Sequence, residues 1–157
     1  MLGTLILENG KTFQGKLFGY LDKKEITGEI VFQTGMVGYN ESLTDPSYEE
    51  QILVYTYPII GNYGVPKEEK NKYGFSTNFE SNRIHVNALV VQEIVDKHSH
   101  YQSTKSLSQW LEEEKIVGIS GIDTRELTKI IRENGTMKAK IVRGMTDNIK
   151  IDYQAEN

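Results

Sequence analysis

The sequence predicts one α/β domain built on a mixed β-sheet with its helices on one side. Three observations carry this reading. Short apolar runs rich in β-branched and aromatic residues dominate the first half. Two stripes at helical spacing occupy the second half and alternate with further strands. The chain has 157 residues, 38% of them hydrophobic and 10% aromatic, which is enough apolar surface for one real core and excludes a disordered chain.

The first unit is a hairpin. Thr4 to Leu7 and Lys11 to Phe18 flank Glu8-Asn9-Gly10, where Asn-Gly predicts a type I′ turn because both residues tolerate positive φ. Gly15 and Gly19 in the second strand predict a bulge or bend. Gly28 to Phe32 reads as a third strand, with Ile30, Val31 and Phe32 as a buried run. Tyr39 to Leu43 reads as a short helix that ends before Pro46, since the residue preceding a proline avoids helical angles. Asp45-Pro46-Ser47-Tyr48 is a turn, and Ile52 to Tyr57 is a strand stopped by Pro58. Gly61 to Asn82 is polar and punctuated by glycine, an excursion with little regular structure. Val86 to Val95 is the most apolar strand and suits a central position covered on both faces.

Two helices follow. Ser106 and Gln109 have capping-box spacing, and Leu107, Trp110 and Leu111 form one stripe. Ile116 to Ile119 is a short strand. Asp123 and Glu126 make a second cap ahead of Leu127, Ile130 and Ile131, with Lys129 and Arg132 near the C-terminal end and Gly135 closing the helix. Met137 to Val142 is the last strand. The expected domain is 1–143, and the polar stretch 144–157 reads as a linker.

The residues exclude more chemistry than they suggest. There is no cysteine, so disulfides, thiolate metal sites and a cysteine nucleophile are absent from these residues. The net charge of −4 argues against nucleic acid as a partner. No apolar run reaches the length of a membrane span, and Met1 to Glu8 lacks the pattern of a signal peptide, so the expected location is cytoplasmic. His98 and His100, with His85, Asp96 or Glu93, could begin a metal site, but a solvated loop explains the pair more simply. Three GxxG patterns, at Gly35, Gly61 and Gly118, lack basic flanks and read as turns. No nucleophile elbow, phosphate loop or dinucleotide fingerprint occurs. What stands out is Thr34 to Gly64, where polar turn residues sit beside glycines and aromatics as they do in recognition loops.

Those residues carry a resemblance. Gly28-Glu29-Ile30-Val31-Phe32-Gln33-Thr34-Gly35-Met36-Val37-Gly38-Tyr39, then Leu43-Thr44-Asp45-Pro46-Ser47-Tyr48, then Thr56-Tyr57-Pro58-Ile59-Ile60-Gly61-Asn62-Tyr63-Gly64, and lastly Gly121-Ile122-Asp123-Thr124-Arg125-Glu126-Leu127-Thr128 resemble the small subunit of carbamoyl phosphate synthetase. The four motifs come in the family's order and span about Leu5 to Val142. The stretch Tyr73-Gly74-Phe75 to Ile84-His85-Val86 is more similar to the eukaryotic branch.

The resemblance implies a three-layer β/β/α domain, the N-terminal half of a two-domain subunit. It implies a class I glutaminase domain beyond it, with a cysteine nucleophile that these residues do not include, and a synthetase portion that uses ATP and magnesium. This domain then needs no cofactor of its own, and docks the glutaminase onto the synthetase in pyrimidine or arginine biosynthesis. Ser47 is implied to face the glutamine pocket across the domain boundary, while Gly35, Gly38, Tyr39, Asn62, Tyr63 and Arg125 are implied to shape the docking face. Two alternatives come from other classes. One is a swivelling phosphocarrier domain using His85, His98 or His100 as acceptor, for which no phosphate cradle is evident; the other is a binder of small ligands.

Overall fold

The computed structural model describes residues 1–34, 38–56, 59–60, 65–66, 83–94 and 103–144. In chain order they form β1 (Leu2–Leu7), β2 (Thr12–Gly19), β3 (Glu25–Gln33), α1 (Tyr39–Leu43), β4 (Ile52–Tyr55), β5 (Ile59–Ile60), β6 (Val65–Pro66), β7 (Ala88–Val90), β8 (Glu93–Ile94), β9 (Ser103–Lys105), α2 (Leu107–Glu113), β10 (Val117–Ser120), α3 (Thr124–Asn134) and β11 (Met137–Arg143). A single 3₁₀ turn, Pro46–Tyr48, lies between α1 and β4.

The mixed α/β class holds, but the layering differs from a β/β/α sandwich. Seven strands close into a barrel in the order β1-β11-β3-β4-β7-β10-β2, and β2 returns to β1. Its two sides are of different kinds. β3, β4, β7 and β10 are parallel neighbours, whereas β11, β1 and β2 join antiparallel. What would have been two separate β layers is one continuous sheet, because β2 serves both edges. Its Thr12–Lys16 portion pairs with β1, and Lys16–Gly19 pairs with β10. Gly15 makes this bend possible, since a Cβ there would run into the backbone oxygen of Ser120. Two short pairs, β5 with β8 and β6 with β9, stand apart from the barrel.

Period-2 alternation sorts the strand residues into two cores. Leu5, Leu7, Leu17, Ile26, Ile30, Ile52, Val54, Ala88, Val90, Val117, Ile119, Met137, Ala139 and Ile141 fill the barrel interior. Each fully buried aliphatic chain there is stabilised by roughly 1.5–3 kcal/mol over exposure to water. Leu53, Leu89 and Val91 point outward instead, where Leu43 of α1 and Leu107, Trp110 and Leu111 of α2 cover them. β7 is therefore buried on both faces, but it is shorter than the expected strand from Val86 to Val95: it spans Ala88–Val90, and Glu93–Ile94 pairs with β5 outside the barrel. The third helix departs from the one-sided expectation. Leu127, Ile130 and Ile131 of α3 join the interior cluster, so α3 stoppers the barrel while α1 and α2 clad its outside. The Arg132 guanidinium lies 5.2 Å from the centre of the Phe32 ring, over the edge of that stopper.

The first turn also differs. Leu7 N–H donates to Lys11 O, Gly10 N–H donates to Leu7 O, and Gly10 takes φ +91. The loop thus has three residues and ends on a left-handed glycine, and Asn9 serves through its side chain, which accepts from Lys11 N–H at 3.0 Å. The helix caps follow the expectation. Ser106 and Gln109 exchange both bonds of a capping box, and Asp123 accepts from Glu126 N–H.

α2 ends in a Schellman motif. Ile116 N–H donates to Leu111 O and Lys115 N–H to Glu112 O, with Lys115 at φ +60. A side chain in that conformation costs about 1–2 kcal/mol. Glycine removes the cost but gives back about 0.5–1 kcal/mol through its freer unfolded chain. Lys115→Gly is expected to stabilise the domain by about 0.5–1 kcal/mol, read as a higher urea midpoint at unchanged slope; an unchanged or lower midpoint would show that the lysine side chain is worth more than the strain.

Candidate functional site

Between β3 and β4 the chain crosses over through α1 and the 3₁₀ turn. Several features of the sequence force this shape. Gly38 precedes α1, and its carbonyl accepts from Ser42 N–H at 3.2 Å. Thr44 folds its hydroxyl back onto Asn40 O at 2.8 Å and ends the helix. Asp45, extended as the residue before a proline must be, accepts from Ser47 N–H at 2.9 Å. Tyr48 N–H and Glu49 N–H then donate to Asp45 O and Pro46 O, both at 3.1 Å. Ser47 is left exposed at the middle of a doubly bonded turn, and its hydroxyl takes no part in those bonds.

The turn is fastened on both flanks. On one side the Tyr48 hydroxyl accepts from Gln33 Nε2 at 3.2 Å. Burial, and secondarily the negative Asp45, push the Tyr48 phenol above its ordinary value. On the other side Glu49 reaches the segment ahead of β7. Both carboxylate oxygens accept from Arg83 Nη2 at 3.0 Å, and one also meets His85 Nδ1. A carboxylate only accepts, so Nδ1 carries the proton. The hydrogen bond from His85, followed by that from Arg83, holds the Glu49 carboxyl below the usual range.

Backbone ties run beneath this clasp. Glu50 N–H donates to His85 O, and His85 N–H donates to Leu43 O. Asn87 Nδ2 donates to both Glu50 O and Thr27 O at 3.0 Å. They hold Glu50 at φ +62, a left-handed conformation that a side chain adopts at a cost. From above, Ile84 N–H donates to Glu114 Oε1 at the end of α2.

The residues singled out from sequence are not one cluster. Ser47, Gly38 and Tyr39 share the crossover, but Tyr39 is only 6% exposed and its ring belongs to the outer core. Arg125 is exposed on the first turn of α3, which leaves from the C-terminal end of β10. The crossover instead delivers the chain to the N-terminal end of β4, so the parallel strands carry Ser47 and Arg125 toward opposite ends. Gly35, Asn62, Tyr63, His98 and His100 lie outside the described residues, as does the linker from residue 145 onward. Among the described residues no group of three or more His, Asp or Glu side chains could hold a metal ion, and no helix is long and apolar enough to cross a membrane.

Sequence reasoning missed the Glu49–Arg83–His85 clasp. Glu49 lies 34 residues from Arg83 and 36 from His85, and no local period links it to them. It also missed an open groove of about 1020 Å³ along β2, between α2 and β8, walled by Lys16, Phe18, Tyr20, Leu21, Glu93 and Glu112. None of the Ser47 turn lines it.

The clasp has a direct spectroscopic consequence. The Glu49 carboxyl is expected to titrate below 4.5, followed by its side-chain carbon shift, and His85→Ala is expected to return it toward 4.5 because the largest stabiliser of its charge is gone. As a depressed acid, Glu49 adds stability that is present above pH 4.5 and is lost as pH falls through its folded value. An unshifted Glu49 in the wild-type domain would remove the clasp.

Residues 5–141 match the family described as Carbamoyl-phosphate synthase small chain, CPSase domain. The chain is 52% identical over 99% of its length to the Multifunctional protein CAD of Squalus acanthias, of which it spans 7%. It is 49% identical over 97% of its length to the Carbamoyl phosphate synthase small chain of Caldanaerobacter subterraneus subsp. tengcongensis, spanning 40% of that protein. The arginine-specific small chain of Phaeosphaeria nodorum is 48% identical over 98% of this chain, which spans 33% of it. With four motifs in order and a family match over residues 5–141, the chain belongs to the carbamoyl-phosphate synthase small chain family and carries its CPSase domain.

Proposed function

We propose that this chain is the non-catalytic N-terminal domain of a glutamine-dependent carbamoyl phosphate synthetase, and that it docks a class I glutaminase domain to the synthetase portion. The observation that carries the reading is the family match over residues 5–141 in relatives of which the chain spans only 7% to 40%. The glutamine hydrolysis and the ATP- and magnesium-dependent synthesis are assigned to the remainder of the parent protein, since a thiol nucleophile has no candidate among these 157 residues. The parent works in the cytoplasm, in pyrimidine or arginine biosynthesis.

In this reading the barrel is a rigid spacer between two active portions, and residues 144–157 are the linker toward the glutaminase. The crossover presents Ser47 to that glutaminase. Its hydroxyl can donate to or accept from the polar groups of bound glutamine, and its exposed position on a fixed turn supports that role. Gly38 and Tyr39 act by shaping the crossover rather than by direct contact, with Tyr39 as its buried anchor. Gly35, Asn62 and Tyr63 are assigned to the docking face, and Arg125 to the end of the parallel strands opposite Ser47.

Two measurements test this. Calorimetric titration of the chain into the separately expressed synthetase portion is expected to give saturable binding near 1:1. No binding at the highest workable concentration would reduce docking to the effect of covalent linkage alone. Ser47→Ala in the full-length enzyme is expected to raise KM for glutamine about tenfold, the worth of one well-made hydrogen bond, and to leave synthesis from ammonia unchanged. Equal loss of both activities would defeat the assignment of Ser47 to glutamine.

A further inference from the structure

We propose that His85 and Glu49 are positioning residues for glutamine use, acting through the Ser47 turn. This inference rests on the contact of Ser47 with glutamine set out above.

Glu49 is not a free surface charge beside the turn. Its own N–H closes the turn on Pro46 O, one residue before Ser47, so a displacement of Glu49 is passed directly to the serine. Its carboxylate is held from the other side by His85 Nδ1 and Arg83 Nη2. An exposed ion pair between two long chains contributes little, because both ends move. Here one end cannot move. The His85 side chain is only 10% exposed, and its backbone is bonded through both N–H and C=O, to Leu43 and Glu50. The imidazole is thus a fixed post built on the segment that leads into β7, the strand buried on both faces. Asp45 shapes the turn from within and Tyr48 leans it on Gln33, but neither ties it to the barrel at the Glu49 end. Two other groups act on the same segment through its backbone: Glu50 N–H donates to His85 O, and the Glu114 carboxylate accepts from Ile84 N–H.

A hydrogen bond to a reacting or binding group is sensitive to placement, and a shift near 1 Å can cost up to about a hundredfold. Loosening the clasp displaces Ser47 without removing it, so the effect falls on the recognition of glutamine and not on ammonia, which needs no such contact.

The test uses the full-length enzyme carrying this domain, with carbamoyl phosphate formation measured from glutamine and from ammonia. Glu49→Ala and His85→Leu are each expected to raise KM for glutamine about fivefold, within the range a misplaced hydrogen bond allows, with kcat and the ammonia rate unchanged. His85→Asn, whose amide N–H can take the place of Nδ1–H, is expected to restore the wild-type KM. Placed in the Ser47→Ala background, Glu49→Ala is expected to add nothing, since the group it positions is gone. If Ser47→Ala is silent, the glutamine contact and this inference both fall. If Ser47→Ala raises KM while Glu49→Ala does not, the inference alone falls. It is also overturned if Glu49→Ala lowers the glutamine and ammonia rates equally, or if its effect persists undiminished without Ser47. Glu49 is exposed, so its variant decides the matter even should His85→Leu fail to fold.

Discussion

Everything in this domain depends on β2 being shared. One strand pairs with β1 through its first half and with β10 through its second, and the sheet has no open edge as a result. Open edges would present unpaired N–H and C=O groups to other chains. Closure also seals the interior, so that Leu5, Leu7, Leu17 and Ile141 face the parallel strands across one continuous core. The constraint is local and steric. At Gly15 the backbone of β2 approaches that of Ser120 more closely than any side chain would permit. α3 completes the closure by setting Leu127, Ile130 and Ile131 into the same core.

A closed barrel holds its crossovers at fixed places. α1 lies on the outer face, anchored by Tyr39 and Leu43, and the Asp45–Tyr48 turn follows from it without slack. Each bond in that turn is modest, about 0.5–1.5 kcal/mol net. Their effect comes from number and direction, since Asp45 is tied to Ser47, Tyr48 to Gln33, Glu49 to Arg83 and His85, and Glu50 to His85 and Asn87. The left-handed Glu50 is consistent with this: the strain persists because Asn87 and His85 over-determine the backbone around it.

The placement of Ser47 and Arg125 toward opposite ends of the parallel strands gives the domain two faces. The role proposed for this domain, a spacer between two active portions, needs that property. The crossover face carries the Glu49–Arg83 ion pair and the His85 imidazole bonded to it, and the α3 face carries a solvated helix whose apolar side is spent on the core.

The local elements were legible from the amino acids because their causes are local. Ser106 with Gln109 and Asp123 with Glu126 announce helix starts through bonds that span three residues. Asp45 before Pro46 announces a turn, and the run through Ala88 to Val91 announces a central strand. The family could be recognised in the same way, from four short motifs in order. The hairpin loop is one residue longer than a type I′ turn, because Asn-Gly suits both a two-residue loop and a three-residue loop with glycine last. Closure of the barrel, the inward position of α3 and the clasp on Ser47 were decided only by the tertiary structure. Each depends on groups brought together from far along the chain, Gly15 with Ser120, α3 with β3 and β4, Glu49 with His85. No periodicity in the sequence encodes such distances; they exist only once the sheet has curved back on itself.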